Sequence, residues 1–476
     1  MNPLAPFGLP VDLLASVVAV LVILVSLAHN LIYFGLLAVA CGAMVRRPRA
    51  RASRSLWNQV ADVAPSVTVL VPSFNEEATI VESVRSLLAL QYPTFEVVVV
   101  NDGSTDATLA RLEASFDLVP SDRTGDGALA HAPLRGVFTS ERHPNLLVLD
   151  KANGGKADAL NAGINVVQTR LLCTVDADSL LEGDALLRAI RPFVEDPERV
   201  VGVGGTVRVA NGCVVKSGRV REIRLPRRFL PLLQTVEYLR AFMMARLAWG
   251  HVGALMVVSG TFGLLRRDVV VEVGGYSLGT VGEDMEVIVK IHRHMRDQKR
   301  DYEIAYVPEP VCWTQVPETL GGLARQRIRW QRGAIESFVW HRKMLMRPRY
   351  GVVGTLGLGH ILLADIVAPL VELLSYLLLP LFWMAGLIYW EFFAAWLALT
   401  FGFGVFISVG SLVLEELELK RVPRAADLLL LAIAAIVENF GYRQLNNFWR
   451  MVGHWRYLRR EKGWGVMRRL AFTPAV

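Results

Sequence analysis

A chain of 476 residues is too long for one ordinary soluble core, so at least two structural regions are expected. Hydrophobic residues make up 53% and the mean hydropathy is +0.37, which lies above the soluble range and points toward the bilayer. The net charge of +7 does not argue for nucleic acid: no Lys or Arg precedes Arg46 or falls between Gly351 and Leu419, and the cations gather beside apolar stretches as membrane anchors do.

Residues 11–45 are nearly all apolar, too long for a signal-peptide core, and predict one transmembrane helix. Asn30 lies midway, but no Gly/Pro turn there supports a hairpin. Arg46, Arg47, Arg49, Arg51 and Arg54 follow, so the helix is expected to run from outside to cytoplasm. From Val67 the pattern changes. The runs VTVLVP (67–72) and EVVVVN (96–101) flank an amphipathic stretch at 77–90, and LLVLD (146–150), a helical run at 156–167 and LLCTVD (171–176) repeat the scheme. Such alternation predicts a parallel sheet with helices on both faces. Residues 116–145 have little periodicity and read as a surface insertion. The cysteines Cys41, Cys173, Cys213 and Cys312 show no zinc or disulfide spacing and suit core packing in a reduced compartment.

A basic helix at 320–343 leads into the apolar residues 352–414, long enough for two spans. A loop at 420–424, a third apolar segment at 428–437 and an arginine-bearing continuation with Arg443, Arg450, Arg456, Arg459 and Arg460 complete the chain. A third full span would place those arginines outside, so two spans and a partly interfacial terminal helix are expected. Asp365 and Glu372, seven apart, share one helix face. They read either as interfacial groups or as the edge of a polar conduit for product.

In open α/β sheets, ligands bind at the carboxyl ends of the strands, and here those ends are acidic. They carry PSFNEE (72–77), NDGSTD (101–106) and, after a later strand, Asp176-Ala177-Asp178. Each alone is also ordinary turn and helix-cap chemistry. Three carboxylate clusters on one edge repel one another unless something cationic joins them, and a divalent cation with a diphosphate would do so. Asn153-Gly154-Gly155-Lys156 opens a helix, where glycine lets backbone approach a phosphate and the lysine adds charge. Gly282-Glu283-Asp284 starts the amphipathic run 285–295. On the basic helix Gln326, Arg329 and Trp330 share a face, offering a cation to a leaving diphosphate and a ring to a sugar, or snorkelling anchors to an interface. His292 and His294 are placed on a solvated face with no metal.

In this order, PSFNEE, NDGSTD, NGGKADALNAG (153–163), DAD, SGTFGLLRR (259–267), GED and QRIRW (326–330) resemble the processive, membrane-embedded family 2 glycosyltransferases. Cellulose, hyaluronan and poly-N-acetylglucosamine synthases are of this kind, and the run CWTQVPETLGGLARQRIRWQRG (312–333) is most similar to the last. The resemblance implies an α/β GT-A fold, a Rossmann-like nucleotide-diphospho-sugar transferase domain flanked by transmembrane helices. The expected division is 1–50 for the first helix and its basic end, 51–319 for a cytosolic catalytic domain, 320–350 for the interfacial QxxRW helix and 351–476 for the C-terminal helices.

It further implies that Phe74, Glu76 and Asp102 hold uridine, that Lys156 and Asp176 lie along the diphosphate, and that Asp178, with Asp176, binds Mg2+ or Mn2+. Asp284 is then the general base beside Glu283. Gln326, Arg329 and Trp330 line the diphosphate and acceptor site, and Ser259, Gly260, Thr261 and Phe262 border the acceptor terminus. The implied reaction is inverting transfer from a UDP-sugar, with UDP-GlcNAc favoured, to a growing β-linked glycan or a lipid. The implied partners are the bilayer of the cell membrane and an accessory export subunit, without nucleic acid. About forty residues follow the last apolar segment, too few for the regulatory domain of bacterial cellulose synthases, and control through such a domain is not expected. The alternatives are a non-processive transferase that adds one sugar to a lipid, and a transporter or receptor with a degenerate nucleotide domain. The latter predicts a lost acidic motif, and none is lost.

Overall fold

The computed structural model describes residues 11–46, 53–216, 218–419 and 425–461. Its centre is a ten-stranded sheet in the order β3-β4-β5-β2-β1-β6-β11-β8-β12-β7. In chain order these are β1 (Val67–Ser73), β2 (Phe95–Asn101), β3 (Leu118–Pro120), β4 (Leu134–Ser140), β5 (Leu146–Lys151), β6 (Leu171–Thr174), β7 (Ser179–Leu181) and β8 (Val200–Val209). The hairpin β9 (Val214–Lys216) and β10 (Arg219–Glu222) stands apart as a second sheet, and β11 (Gly263–Arg266) and β12 (Glu303–Thr314) complete the first.

The neighbours β5, β2, β1 and β6 run parallel, so their carboxyl ends meet at one edge. These strands are rich in buried Val and Leu because both faces are covered. The sheet as a whole is mixed, not parallel: β11 enters antiparallel between β6 and β8, and β4 returns antiparallel to β5. The 116–145 segment is thus more than a surface insertion. It supplies β3 as the edge strand and β4 beside it, both only half-buried, which leaves a weak sequence pattern.

Helix Lys156–Val166 is buried on every side, including its polar members. Each of those has a partner: Asp158 takes Lys151, Asn161 holds the backbone of Tyr276, and Asn165 holds Leu129. Gly163 lets this helix close on β1 and β2, since a Cβ there would lie 2.9 Å from Leu70.

Outside the sheet, three helices among the described residues are long and apolar enough to cross a membrane, Asp12–Arg46, Val353–Met384 and Trp390–Glu416. Leu13, Leu21, Leu24 and Leu31 stand exposed along the first, an apolar surface suited to a bilayer. That helix is continuous through Asn30, whose amide donates to the Leu399 carbonyl at 2.9 Å. Helices Ala425–Val437 and Tyr442–Leu458 form a pair bent by 54°. The arginines of the second have partners within the bundle: Arg443 meets Glu372 at 2.8 Å and Arg450 meets Asp365 at 2.7 Å. Asn447 also donates to Glu372, at 2.7 Å. The two carboxylates expected at an interface or a conduit therefore clamp the terminal helix to the apolar bundle.

Candidate active site

The two strand-end loops are laced together. Asn75, at φ 55°, accepts from the Thr105 amide at 2.8 Å, and its own amide donates to the Ser104 hydroxyl at 3.0 Å. Glu76 is buried and accepts from the Thr79 hydroxyl, while Phe74 stays exposed. Asp102, expected on the uridine, has an internal task. Its carboxylate accepts from the Lys151 ammonium (2.5 Å), the amides of Gly154 (3.0 Å) and Gly155 (2.7 Å), and the Asn153 side chain (3.2 Å). These fill the lone-pair directions a carboxylate offers. The amides expected to meet a phosphate thus hold Asp102, and Gly103, at φ 66°, permits the approach because a Cβ there would lie 2.7 Å from Asn153 N.

The loop delivers Lys156 to the centre of the site. Its ammonium lies 2.6 Å from Asp176 and 3.3 Å from Glu283. Burial opposes its charge, yet Asp176, Glu283 and Asp284 outweigh that and raise its pKa above the ordinary lysine value. Burial likewise raises Glu283, opposed by Lys156 and reinforced by Asp284. Asp284 accepts from the amides of Gly260 (3.0 Å) and Met285 (2.9 Å). A Cβ at Gly260 would lie 2.7 Å from the Lys156 nitrogen, so the SGTF turn, the GED turn and the lysine meet only because that residue is glycine. Pro72, Lys156, Thr174, Gly260, Tyr276, Glu283 and Asp284 line one pocket.

Ser259 and Thr261 share a hydroxyl contact of 2.8 Å in the SGTF turn. Phe262 departs from expectation: it is fully buried against Gly205 in the core, and does not border an acceptor. Tyr276 was missed by sequence reasoning because a lone aromatic after two glycines carries no chemical signature. His292 is also corrected. It is buried, with its rings of contacts to Tyr302 (2.7 Å) and the Leu255 carbonyl (2.9 Å), while His294 sits by Glu272.

Helix Leu320–His341 carries the QRIRW residues and the GED turn leans directly on it. Gly282 and Gly333 touch backbone to backbone, where a Cβ on either would meet the other's Cα at 2.7 Å. Glu336, one helical turn beyond Arg332, accepts from the Thr280 hydroxyl (2.8 Å) and the Val281 amide (3.0 Å). Arg329 acts on Glu283 as a neighbouring charge, which joins this helix to the lysine cluster. Trp330 is exposed, with Arg327 over its ring at 4.5 Å; Arg327 itself pairs with Glu237 at 2.7 Å. The Gln326 side-chain oxygen is buried without a hydrogen-bond partner among the described residues.

Asp176 and Asp178 follow β6 on one turn and both are half-buried. Among the described residues no group of three potential ligands forms a closed metal cage. Two carboxylates two residues apart on one turn fit a hard cation that completes its shell with substrate oxygens.

A family model described as glycosyl transferase family 2 matches residues 68–274, the sheet and the acidic strand ends just described. The chain carries a family 2 glycosyltransferase domain. The family 2 domain has the GT-A, Rossmann-like fold with a mixed sheet. Over 270 residues, 57% of this chain, it is 30% identical to the poly-beta-1,6-N-acetyl-D-glucosamine synthase of Staphylococcus epidermidis, covering 55% of that protein. The Staphylococcus aureus synthase of the same name is 30% identical over 276 residues, 58% of this chain and 56% of that one. The match thus spans about half the length of these curated relatives. In fold, the chain is similar to the mannosyltransferase PcManGT from Pyrobaculum calidifontis, solved with GDP-Man and Mn2+, at 17% identity and a TM-score of 0.54 over 93% of this chain and 100% of that one.

Proposed function

We propose that this protein is an inverting, metal-dependent glycosyltransferase of the cell membrane that builds a β-linked N-acetylglucosamine polymer from UDP-GlcNAc and passes it across the bilayer. The observation that carries the reading is the Lys156 cluster. One ammonium gathers Asp176 from the DAD motif and Glu283 and Asp284 from the GED motif, beside a turn built around Gly260. The names of the staphylococcal relatives support the sugar and the polymer.

In this reading Phe74 stacks beside the nucleotide base and Lys156 lies along the diphosphate. Asp176 and Asp178 would hold Mg2+ or Mn2+, which when bound would offset the charge of the leaving diphosphate. Asp284 takes the proton of the acceptor hydroxyl, with its carboxylate fixed by the Gly260 amide. The acceptor oxygen forms its bond to the anomeric carbon as the bond from that carbon to the diphosphate oxygen breaks, and UDP departs. Attack from the opposite side inverts an α-linked donor to a β-linked product. Arg329 and Lys156 stabilise the charge that develops on the leaving group. The apolar helices keep the site at the membrane so that the polymer leaves along the bundle.

The test uses the purified full chain in detergent with UDP-GlcNAc, UDP-glucose and UDP-glucuronate supplied singly, with Mg2+, Mn2+ or EDTA. Sugar transfer is expected from UDP-GlcNAc and is abolished by EDTA and by Asp178→Ala. Asp284→Asn is expected to slow transfer about 10²–10⁴-fold while UDP still binds. Full activity in EDTA, or normal turnover by Asp284→Asn, would remove the assigned roles.

A further inference from the structure

A second cavity, of about 600 Å3 with its open mouth included, lies away from the catalytic pocket and shares no lining residue with it. It forms where helix Phe229–Leu239 packs against β8 and against helices Phe403–Leu419 and Ala425–Val437. Its place relative to the bilayer follows from those elements. Glu415 lines it at the end of the apolar span Trp390–Glu416, and Asp427 lines it from the first turn of the next helix. The cavity therefore sits where the bundle gives way to polar surroundings, on the side that carries the catalytic sheet.

Its inside is apolar, with Val207 and Val209 of β8 joined by Leu225, Leu239 and Leu431. Arg208 and Glu415, the buried charged residues of the wall, pair with each other, and Arg208 also lies over the Trp313 ring at 5.8 Å. A matched pair leaves no net charge in the wall, so the interior suits a hydrocarbon chain and does not stabilise a free ion.

The mouth is different. Arg224 lines it from the segment that follows β10, and that segment carries Arg221, Arg224, Arg227 and Arg228, all exposed, with Phe229 exposed beside them. Arg224 pairs with Glu222 and Arg228 with Glu318, while Arg221 and Arg227 meet no carboxylate within ion-pair distance among the described residues. A row of arginines ending in an exposed ring seats well among anionic headgroups. Asp427, at the same cavity, repels a second phosphate but accepts from a hydroxyl.

We propose that this cavity binds one anionic glycerophospholipid, with an acyl chain in the apolar interior, the phosphate on Arg224 and its neighbouring arginines, and the headgroup hydroxyls on Asp427. The neutral wall and the cationic rim match the two halves of such a molecule. The proposal does not depend on which sugar the catalytic pocket transfers.

The full chain, purified in detergent and stripped of lipid, is titrated with phosphatidylglycerol, phosphatidylcholine and glycerol phosphate, and bound molecules are counted by native mass spectrometry. One tightly held phosphatidylglycerol per chain is expected, with phosphatidylcholine about tenfold weaker and glycerol phosphate not retained. Arg224→Gln changes an exposed side chain and is expected to weaken phosphatidylglycerol binding about fivefold, the share of one arginine near an anionic surface. Thr235→Phe fills the interior from helix Phe229–Leu239 and is expected to abolish that binding, with thermal unfolding checking that the chain still folds. Equal retention of the two lipids overturns the proposal, since the rim then selects no charge. Glycerol phosphate held as tightly as the lipid also overturns it, because the cavity then takes no chain. So does unchanged binding by Arg224→Gln or by a folded Thr235→Phe; if Thr235→Phe unfolds, Arg224→Gln and the comparison of lipids decide.

Discussion

His292 is a residue whose neutrality the fold requires. Its Nε2–H donates to the Leu255 carbonyl and its Nδ1 meets the Tyr302 hydroxyl, in a buried site that favours the uncharged ring. Burial pushes its pKa from 6.5 down to about 4, with the Leu255 carbonyl opposing the shift. The unfolded chain then binds a proton that the folded chain refuses. Stability is complete above pH 6.5 and is lost as pH falls toward 4, by on the order of 3 kcal/mol. Thermal unfolding of the detergent-solubilised chain against pH should show that loss, and His292→Gln should lack it; identical pH profiles would contradict the assignment. Sequence could not place this histidine, because the helix it sits on is charged on nearly every turn. It could single out Asp176, Asp178, Lys156 and Asp284, since acidic strand ends and a glycine-lysine helix start are chemical features that local sequence displays. The partners of Asp102 depend on residues about fifty positions away in the chain and leave no such trace.

Among elements, the same division holds. The strands β1, β2, β5 and β6 were legible as apolar runs, and so was the helix that begins at Lys156. The antiparallel entry of β11 was not, because a four-residue strand buried on both faces has no direction written in it. The contact of the GED turn with the QRIRW helix was also hidden, since Gly282 and Gly333 act by what they lack. In the bundle, the arginines of helix Tyr442–Leu458 read as a bar to membrane entry, whereas the structure matches them to Asp365 and Glu372. A clamp of this kind makes a specific prediction. Glu372→Leu leaves Arg443 without its partner and should lower stability by about 2 kcal/mol, while the double variant with Arg443→Leu should recover most of it. Thermal unfolding in one detergent measures the cycle; additive losses would show that the two side chains do not act as a pair.

At the scale of the whole molecule, the catalytic sheet rests on a helical floor that is itself packed on apolar helices, and the QRIRW helix touches both layers. Its Gln331 side chain donates to the Asp365 carbonyl at 2.7 Å, while Gly453 of the terminal helix closes on Gln331. The catalytic sheet and the bundle are thus joined without a linker, as the proposed passage of product into the membrane requires. The most direct measurement is the size of the product made by the full chain reconstituted in lipid nanodiscs with UDP-GlcNAc and excess acceptor. The account predicts long chains at early times, digestible by a β-N-acetylglucosaminidase, with most acceptor still unextended and one UDP released per sugar. Uniform addition of a single sugar to all acceptor, or no UDP release at all, would contradict it.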